Sequence, residues 1–241
     1  MPVKWYEGEI TDIRQLSPEV RQFTLKVQSE EQFRFLPGQF ITMDLPVGEK
    51  RLDRWRSYSI ANAPDFSGIL EFCIVKMEGG LATSYLFDKI IIGDIIRFKG
   101  PDGGFVLPSD LNKEIVMICT GTGVAPFRSM LQHIIREGLT FKKIHLIFGT
   151  RYSNGVLYKD EFEQMAKQHQ NFIYSVALSR EDSVNCHHGY VHPIYMKEYE
   201  EKKEDVLFMI CGWSRMIDEA VENLIIRLGY NKSQVRYELY G

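Results

Sequence analysis

Several short stretches of this sequence carry residue types that can do chemistry. The most informative is Arg56-Ser57-Tyr58-Ser59, which follows a charged loop from Gly48 to Arg54. On a short strand, alternation puts Arg56 and Tyr58 on one face, with Ser59 beside them at the strand end. The guanidinium matches a phosphate, the phenol ring offers a flat surface for stacking, and the serine is a small donor and acceptor. A dinucleotide with a planar ring requires that set. Taken alone, the stretch reads as well as an ordinary edge strand with a solvated Arg and Tyr.

A second stretch is Thr120-Gly121-Thr122-Gly123-Val124-Ala125-Pro126, set between an apolar strand and a helix. Glycines let backbone approach a phosphate, and a helix N-terminus offers free N–H groups and a positive dipole end. Pro126 suits a first helical turn. The pattern is not the Rossmann fingerprint, since a third glycine is missing and Gly149-Thr150-Arg151 stands where an acid would end the next strand. It is not a P-loop either, because no Gly-Lys-Ser/Thr follows. Gly79-Gly80-Leu81-Ala82-Thr83-Ser84 repeats the logic in the first half, a glycine turn at a helix start, and reads equally well as a capped helix. Cys211-Gly212-Trp213 ends a buried strand, the edge where α/β ligands bind, although a core cysteine is the commoner meaning. The chain closes on Glu238-Leu239-Tyr240-Gly241, which places a carboxylate and an aromatic on one face.

Cys186, His187, His188 and His192 have poor spacing for a metal, so no metal site is expected. The four cysteines, Cys73, Cys119, Cys186 and Cys211, lie far apart with no Cys-x-x-Cys. Three of them sit in apolar runs and read as reduced, buried thiols, which argues against an iron–sulfur cluster or a structural zinc. No Ser/His/Asp or paired-carboxylate arrangement announces itself.

The elements that must position these residues fall into two textures. From Trp5 to Pro108 the chain alternates or is β-branched, over Ile10–Ile13, Val20–Val27, Gln39–Leu45, Leu70–Lys76 and Asp94–Lys99. Gly and Pro punctuate it, and one helix is expected from Leu81 to Lys89. This predicts a small antiparallel barrel. From Lys113 strand and helix alternate. Strands are expected at Ile115–Cys119, Lys143–Phe148, Phe172–Leu178, Val206–Cys211 and Val235–Leu239, and helices at Phe127–Arg136, Asp160–Lys167 and Met216–Leu228. That predicts a parallel-sheet α/β domain. The expected fold is thus two-domain, an antiparallel β-barrel over residues 1–110 followed by an α/β domain over residues 111–241. The charge run Glu198 to Asp205 reads as solvated surface.

Composition sets the outer bounds. Of 241 residues, 44% are hydrophobic and 25% charged, enough for a sizeable core. The net charge of −3 gives no basis for nucleic-acid binding. The absence of a long apolar run and of an apolar N-terminal segment leads to the expectation of a cytoplasmic protein without a membrane span.

Taken in order, these pieces resemble the ferredoxin–NADP reductase superfamily over essentially the whole chain. The motifs that carry the resemblance are Arg56-x-Tyr58-Ser59, Gly80-x-x-Thr83-x-x-Leu86, Gly121-Thr122-Gly123-Val124-Ala125-Pro126, Cys211-Gly212 and Glu238-x-Tyr240. The resemblance implies an FAD-binding barrel and an NAD(P)-binding domain. It implies that Arg56 holds the FAD pyrophosphate together with the Gly80 turn and Thr83. Tyr58 would stack on the isoalloxazine, and Ser59 would hydrogen-bond near N5. Gly121, Thr122, Gly123 and Pro126 would face the NAD(P)H pyrophosphate and ribose, and Cys211 would lie beside nicotinamide C4. Glu238 would be the acid near the hydride path, and Tyr240 the terminal aromatic that covers the flavin. Ser179-Arg180 resembles the pair that takes a 2′-phosphate, which favours NADPH over NADH.

The implied activity is transfer of a hydride from NAD(P)H to FAD, then of single electrons to a separate soluble carrier, ferredoxin or flavodoxin, by a monomeric enzyme. The alternatives are an NADH-dependent reductase component of an oxygenase or haem system, and a non-catalytic nucleotide-binding subunit. Gly241 departs from the pattern by extending one residue past the aromatic.

Overall fold

The computed structural model describes residues 4–240. Met1 to Val3 and Gly241, the residue after the terminal aromatic, lie outside the described residues. The chain divides into two compact units: residues 1–107 with 125–137, and residues 108–124 with 138–241.

The first unit is built on β1 (Trp5–Ser17), β2 (Val20–Gln28), β3 (Phe40–Asp44), β4 (Trp55–Ser59), β5 (Ile69–Val75) and β6 (Ile95–Asp102). They form one antiparallel six-stranded sheet in the order β4-β3-β6-β1-β2-β5. Alternation drives the fold, because the inward residues of each strand meet in a common core that includes Ile10, Phe23, Leu25, Ile41, Phe72 and Phe98. The expected barrel is an open one. Its end strands pair along no ladder among the described residues and meet at an isolated bridge between Ile60 and Phe72, just past β4. Two helices interrupt the strands, α1 (Arg51–Arg54), a single turn inside the expected charged loop, and α2 (Leu81–Asp88).

The second unit holds β7 (Glu114–Thr120), β8 (Lys143–Thr150), β9 (Phe172–Leu178), β10 (His187–His188), β11 (Val206–Trp213) and β12 (Val235–Tyr240). They make a parallel sheet in the order β10-β9-β8-β7-β11-β12. The chain runs outward from β7 through β8 to β9, then returns to the other side of β7 with β11. The switch point therefore lies between the C-terminal ends of β7 and β11, where open α/β sheets bind ligands. α4 (Lys159–Gln168) sets Phe162 against Tyr174 of β9, with ring centroids 5.4 Å apart. α5 (His192–Glu198) and α6 (Ser214–Glu222) bury Tyr195 and Ile217 with Val116, Phe208 and Ile210. The helix expected over Met216–Leu228 widens after α6 into a π turn at Asn223–Arg227. There the buried Asn223 amide donates to the Tyr195 hydroxyl at 3.0 Å.

α5 falls where the sequence pattern suggested no element. It begins at His192-Pro193, and a proline in the first turn loses no helical hydrogen bond. The helix between β7 and β8, α3 (Ala125–Arg136), follows the strand–helix alternation in the chain, but its contacts group it with the first unit. The Arg128 guanidinium donates to Glu71 Oε2 at 2.6 Å and to the Ala61 carbonyl at 3.1 Å. Ser129 Oγ donates to the Asn62 carbonyl at 2.7 Å, and the Ala63 N–H donates to Gln132 Oε1 at 3.0 Å. This helix thus clamps the backbone that leaves β4.

Candidate functional site

In the first unit, β4 lies against β3 with Arg56 opposite Met43, Tyr58 opposite Ile41 and Ser59 opposite Phe40. Tyr58 packs partly into the core. Burial pushes its phenol well above the usual range, slightly opposed by the charge of Arg56. The ring is therefore neutral. Ser59 is buried at the strand end. The Arg56 guanidinium is folded back on two carbonyls, Leu52 O at 2.6 Å and Trp55 O at 2.8 Å. No ion pair to Arg56 exists among the described residues. Its charge is held in place and unspent, which suits an incoming phosphate.

α1, which leads into β4, lies against α2. Gly80 is the N-cap of α2 and has no side-chain cap. A Cβ there would stand 2.7 Å from Thr83 Oγ1, so a larger residue would displace the Thr83 hydroxyl from the turn. The Thr83 hydroxyl accepts from the Met77 N–H at 3.1 Å and sits 3.3 Å from the Gly80 carbonyl. Thr83 thus braces the turn from beneath, leaving the first backbone N–H groups of α2 to an outside acceptor. A cation, a neutral ring and uncapped N–H groups form a donor set that fits a flavin dinucleotide's pyrophosphate and ring.

In the second unit, Gly121 to Val124 forms a 3₁₀ turn directly after β7. A Cβ on Gly123 would stand 2.4 Å from the Cys211 carbonyl oxygen, so the turn lies against the end of β11. The Trp213 N–H reaches Thr120 Oγ1 at 3.5 Å across the same seam. Cys211 stands in register with Cys119 on one side and Glu238 on the other. Burial pushes the Cys211 thiol well up, reinforced by Glu238 and Cys119 and opposed by a hydrogen bond with Tyr240. The thiol is thus a protonated S–H, not a nucleophile. The turn, Cys211, Glu238 and Tyr240 are gathered at one sheet edge, at the switch point. Pro126 is buried in the first turn of α3.

Ser179 and Arg180 extend β9 at that same edge, some strands away. The Ser179 N–H donates to Thr150 O and the Arg180 N–H to Arg151 O, both at 3.0 Å. Arg151 and Arg180 are exposed, and neither makes an ion pair among the described residues. The motif pattern assigns Arg151 no site role, and an arginine directly past a strand end is the one signal the sequence offers for it. The nearby histidines go elsewhere. His188 Nδ1 lies 2.8 Å from Asp182, and the buried His192 lies 2.8 Å from the Tyr195 hydroxyl.

Residues 7–107 match the family described as "Oxidoreductase FAD-binding domain", and residues 117–222 match "Oxidoreductase NAD-binding domain". Ferredoxin–NADP reductase B of Sorangium cellulosum is 32% identical over 243 positions, covering 98% of this chain and 97% of that protein. The toluate 1,2-dioxygenase electron transfer component of Pseudomonas putida is 31% identical over 236, covering 98% of this chain and 68% of that one. Among solved structures, a ferredoxin NADP+ reductase from Neisseria gonorrhoeae with bound FAD and NADP superposes with a TM-score of 0.82 at 26% identity, over 98% of each chain. The Amycolatopsis cytochrome P450 reductase GcoB, 23% identical, shares the fold with a TM-score of 0.87, over 99% of this chain and 70% of that one. The chain belongs to the ferredoxin–NADP reductase-type flavoproteins and is an oxidoreductase that uses FAD and NAD(P)H.

Proposed function

We propose that this protein is a ferredoxin- or flavodoxin–NADP reductase, taking an electron pair from NADPH and delivering single electrons to a separate carrier protein. The observation that carries the NADPH preference is the pair of uncommitted arginines, Arg151 and Arg180, on neighbouring strand ends. A guanidinium pair without carboxylate partners suits a phosphate dianion far better than it suits two ribose hydroxyls. The near full-length likeness to a ferredoxin–NADP reductase supports the acceptor class.

FAD, when bound, supplies the conversion between an electron pair and single electrons. The residues of the chain do the rest. Arg56 neutralises the pyrophosphate, helped by the N–H groups that Gly80 and Thr83 expose. Tyr58 offers its uncharged face for stacking, and Ser59 presents a hydroxyl for positioning. In the second unit the Gly121–Gly123 turn admits the dinucleotide backbone closely. The Cys211 S–H contributes a soft, neutral surface at the nicotinamide end. Glu238 stands beside it in register, and Tyr240 is the ring that nicotinamide displaces. Ser179 and Arg180 bind the adenosine end.

A second reading, an NADH-dependent reductase component of an oxygenase, draws on the likeness to the toluate dioxygenase component. Stopped-flow bleaching of the flavin by NADPH and by NADH decides between the two. A ratio of kcat/KM well above one for NADPH, with turnover of a ferredoxin or flavodoxin, supports the first. A ratio at or below one removes the NADPH reading.

A further inference from the structure

Arg151 and Arg180 have an acid for a neighbour, and it is turned aside. Glu181 follows Arg180 directly, and its carboxylate accepts from the Ser153 backbone N–H at 2.7 Å and from Ser153 Oγ at 2.8 Å. Those two bonds, the backbone one first, hold the Glu181 carboxyl below the usual range, so it is ionised. The other neighbouring acid, Asp182, faces His188. The clasp also continues a ladder. Backbone bonds tie Ser179 to Thr150 and Arg180 to Arg151, and Glu181 to Ser153 supplies the next rung through a side chain.

An ionised carboxylate at the edge of a phosphate site would compete for its guanidiniums or repel an approaching phosphate. Here it spends its charge on the neutral donors of Ser153. We infer that Ser153 is a positioning residue for dinucleotide selection: its hydroxyl and amide hold Glu181 away from Arg151 and Arg180, leaving both guanidiniums to a phosphate on the adenosine ribose. The inference rests on the reading that this edge takes the adenosine end of NADPH. It assigns the selectivity to a serine that acts through Glu181.

Losing the hydroxyl frees one carboxylate oxygen, and Glu181 swings to the nearer guanidinium. A phosphate must then compete with it. A ligand without that phosphate feels little change.

The test uses the flavin-loaded full-length protein and two probes, 2′,5′-ADP and 5′-AMP, followed by calorimetry. The unsubstituted protein binds 2′,5′-ADP more tightly than 5′-AMP. Ser153→Ala weakens 2′,5′-ADP by about tenfold and 5′-AMP by less than about twofold, the scale of one charge-assisted contact. Ser153→Thr, which keeps the hydroxyl, retains the preference. Ser153→Ala with Glu181→Gln regains most of it, because the freed group no longer carries charge, whereas a merely unfolded loop would not recover. If the unsubstituted protein shows no preference, the NADPH reading itself fails. If it shows the preference but Ser153→Ala leaves the ratio unchanged, or Glu181→Gln does not restore it, the role of Ser153 is overturned while the NADPH reading stands.

Discussion

A Cβ on Gly123 would lie 2.4 Å from the Cys211 carbonyl oxygen and 2.8 Å from Gly212 Cα. The Gly121–Val124 turn and the strand-end cysteine are therefore a single packed seam. A methyl group at Gly123 must push them apart, since the obstructing atoms are backbone. Gly123→Ala is expected to lower stability by about 1–3 kcal/mol, as overpacking does. It is also expected to slow flavin bleaching by NADPH at least tenfold while the flavin content stays that of the parent. Equal bleaching rates in the two proteins would show that the seam has no part in dinucleotide binding.

Arg56 gives a complementary prediction in the other unit. Its guanidinium rests on the Leu52 and Trp55 carbonyls and on no carboxylate among the described residues. Arg56→Ala removes a charge that stabilises nothing within the chain by ion pairing. Melting temperature of the flavin-free protein should move little, whereas FAD retention through gel filtration, read as the ratio of absorbance at the flavin band to that of protein, should collapse. Arg56→Lys should recover only part, because a lysine cannot make the paired contact.

Arg128 and Glu71 predict the opposite pattern. The Arg128 side chain is 8% exposed and that of Glu71 23%, at 2.6 Å. Arg128→Ala strands Glu71 and takes a donor from the Ala61 carbonyl. A loss of about 3 kcal/mol is expected in urea unfolding, typical of breaking a buried pair from one side. The double variant with Glu71→Ala should lose less than the sum of the single ones.

His145 sets an acid limit on stability. It is buried on β8, with Nε2 2.9 Å from Ser175 Oγ and Nδ1 3.3 Å from the Tyr199 hydroxyl. Burial, with Lys143 next, lowers its pKa to about 4. Above pH 6.5 the ring is neutral in both folded and unfolded chains, and nothing is lost. Between 6.5 and about 4 only the unfolded chain takes the proton, so stability falls with pH by about 1.4 kcal/mol per unit. Urea midpoints at pH 7 and pH 5 should differ more in the parent than in His145→Gln. Parallel curves would mean the ring protonates without penalty.

The local patterns were legible because they are local. Period-two alternation from Val20 to Val27 gave β2, and a continuous apolar run gave β7, each within a residue or two of its bounds. The motif set around Arg56, Gly121, Cys211 and Glu238 identified the family, since each motif is a few adjacent residues with one backbone task. The same patterns missed α5, a seven-residue helix too short to show helical apolar spacing. They also said nothing of the open barrel edge at Ile60 and Phe72.

What only the tertiary structure decided are meetings across long stretches of chain. Gly123 against Cys211, Arg128 on Glu71 and Ser153 on Glu181 join residues whose neighbours in sequence carry no record of one another. Strand order and register set those meetings, through the packing of whole faces, and a one-residue slip would undo each of them without altering any local motif. The sequence by itself determined the family and the kinds of group available. The fold decided which guanidiniums are spent on carboxylates and which, like Arg151 and Arg180, stand exposed without an ion pair among the described residues.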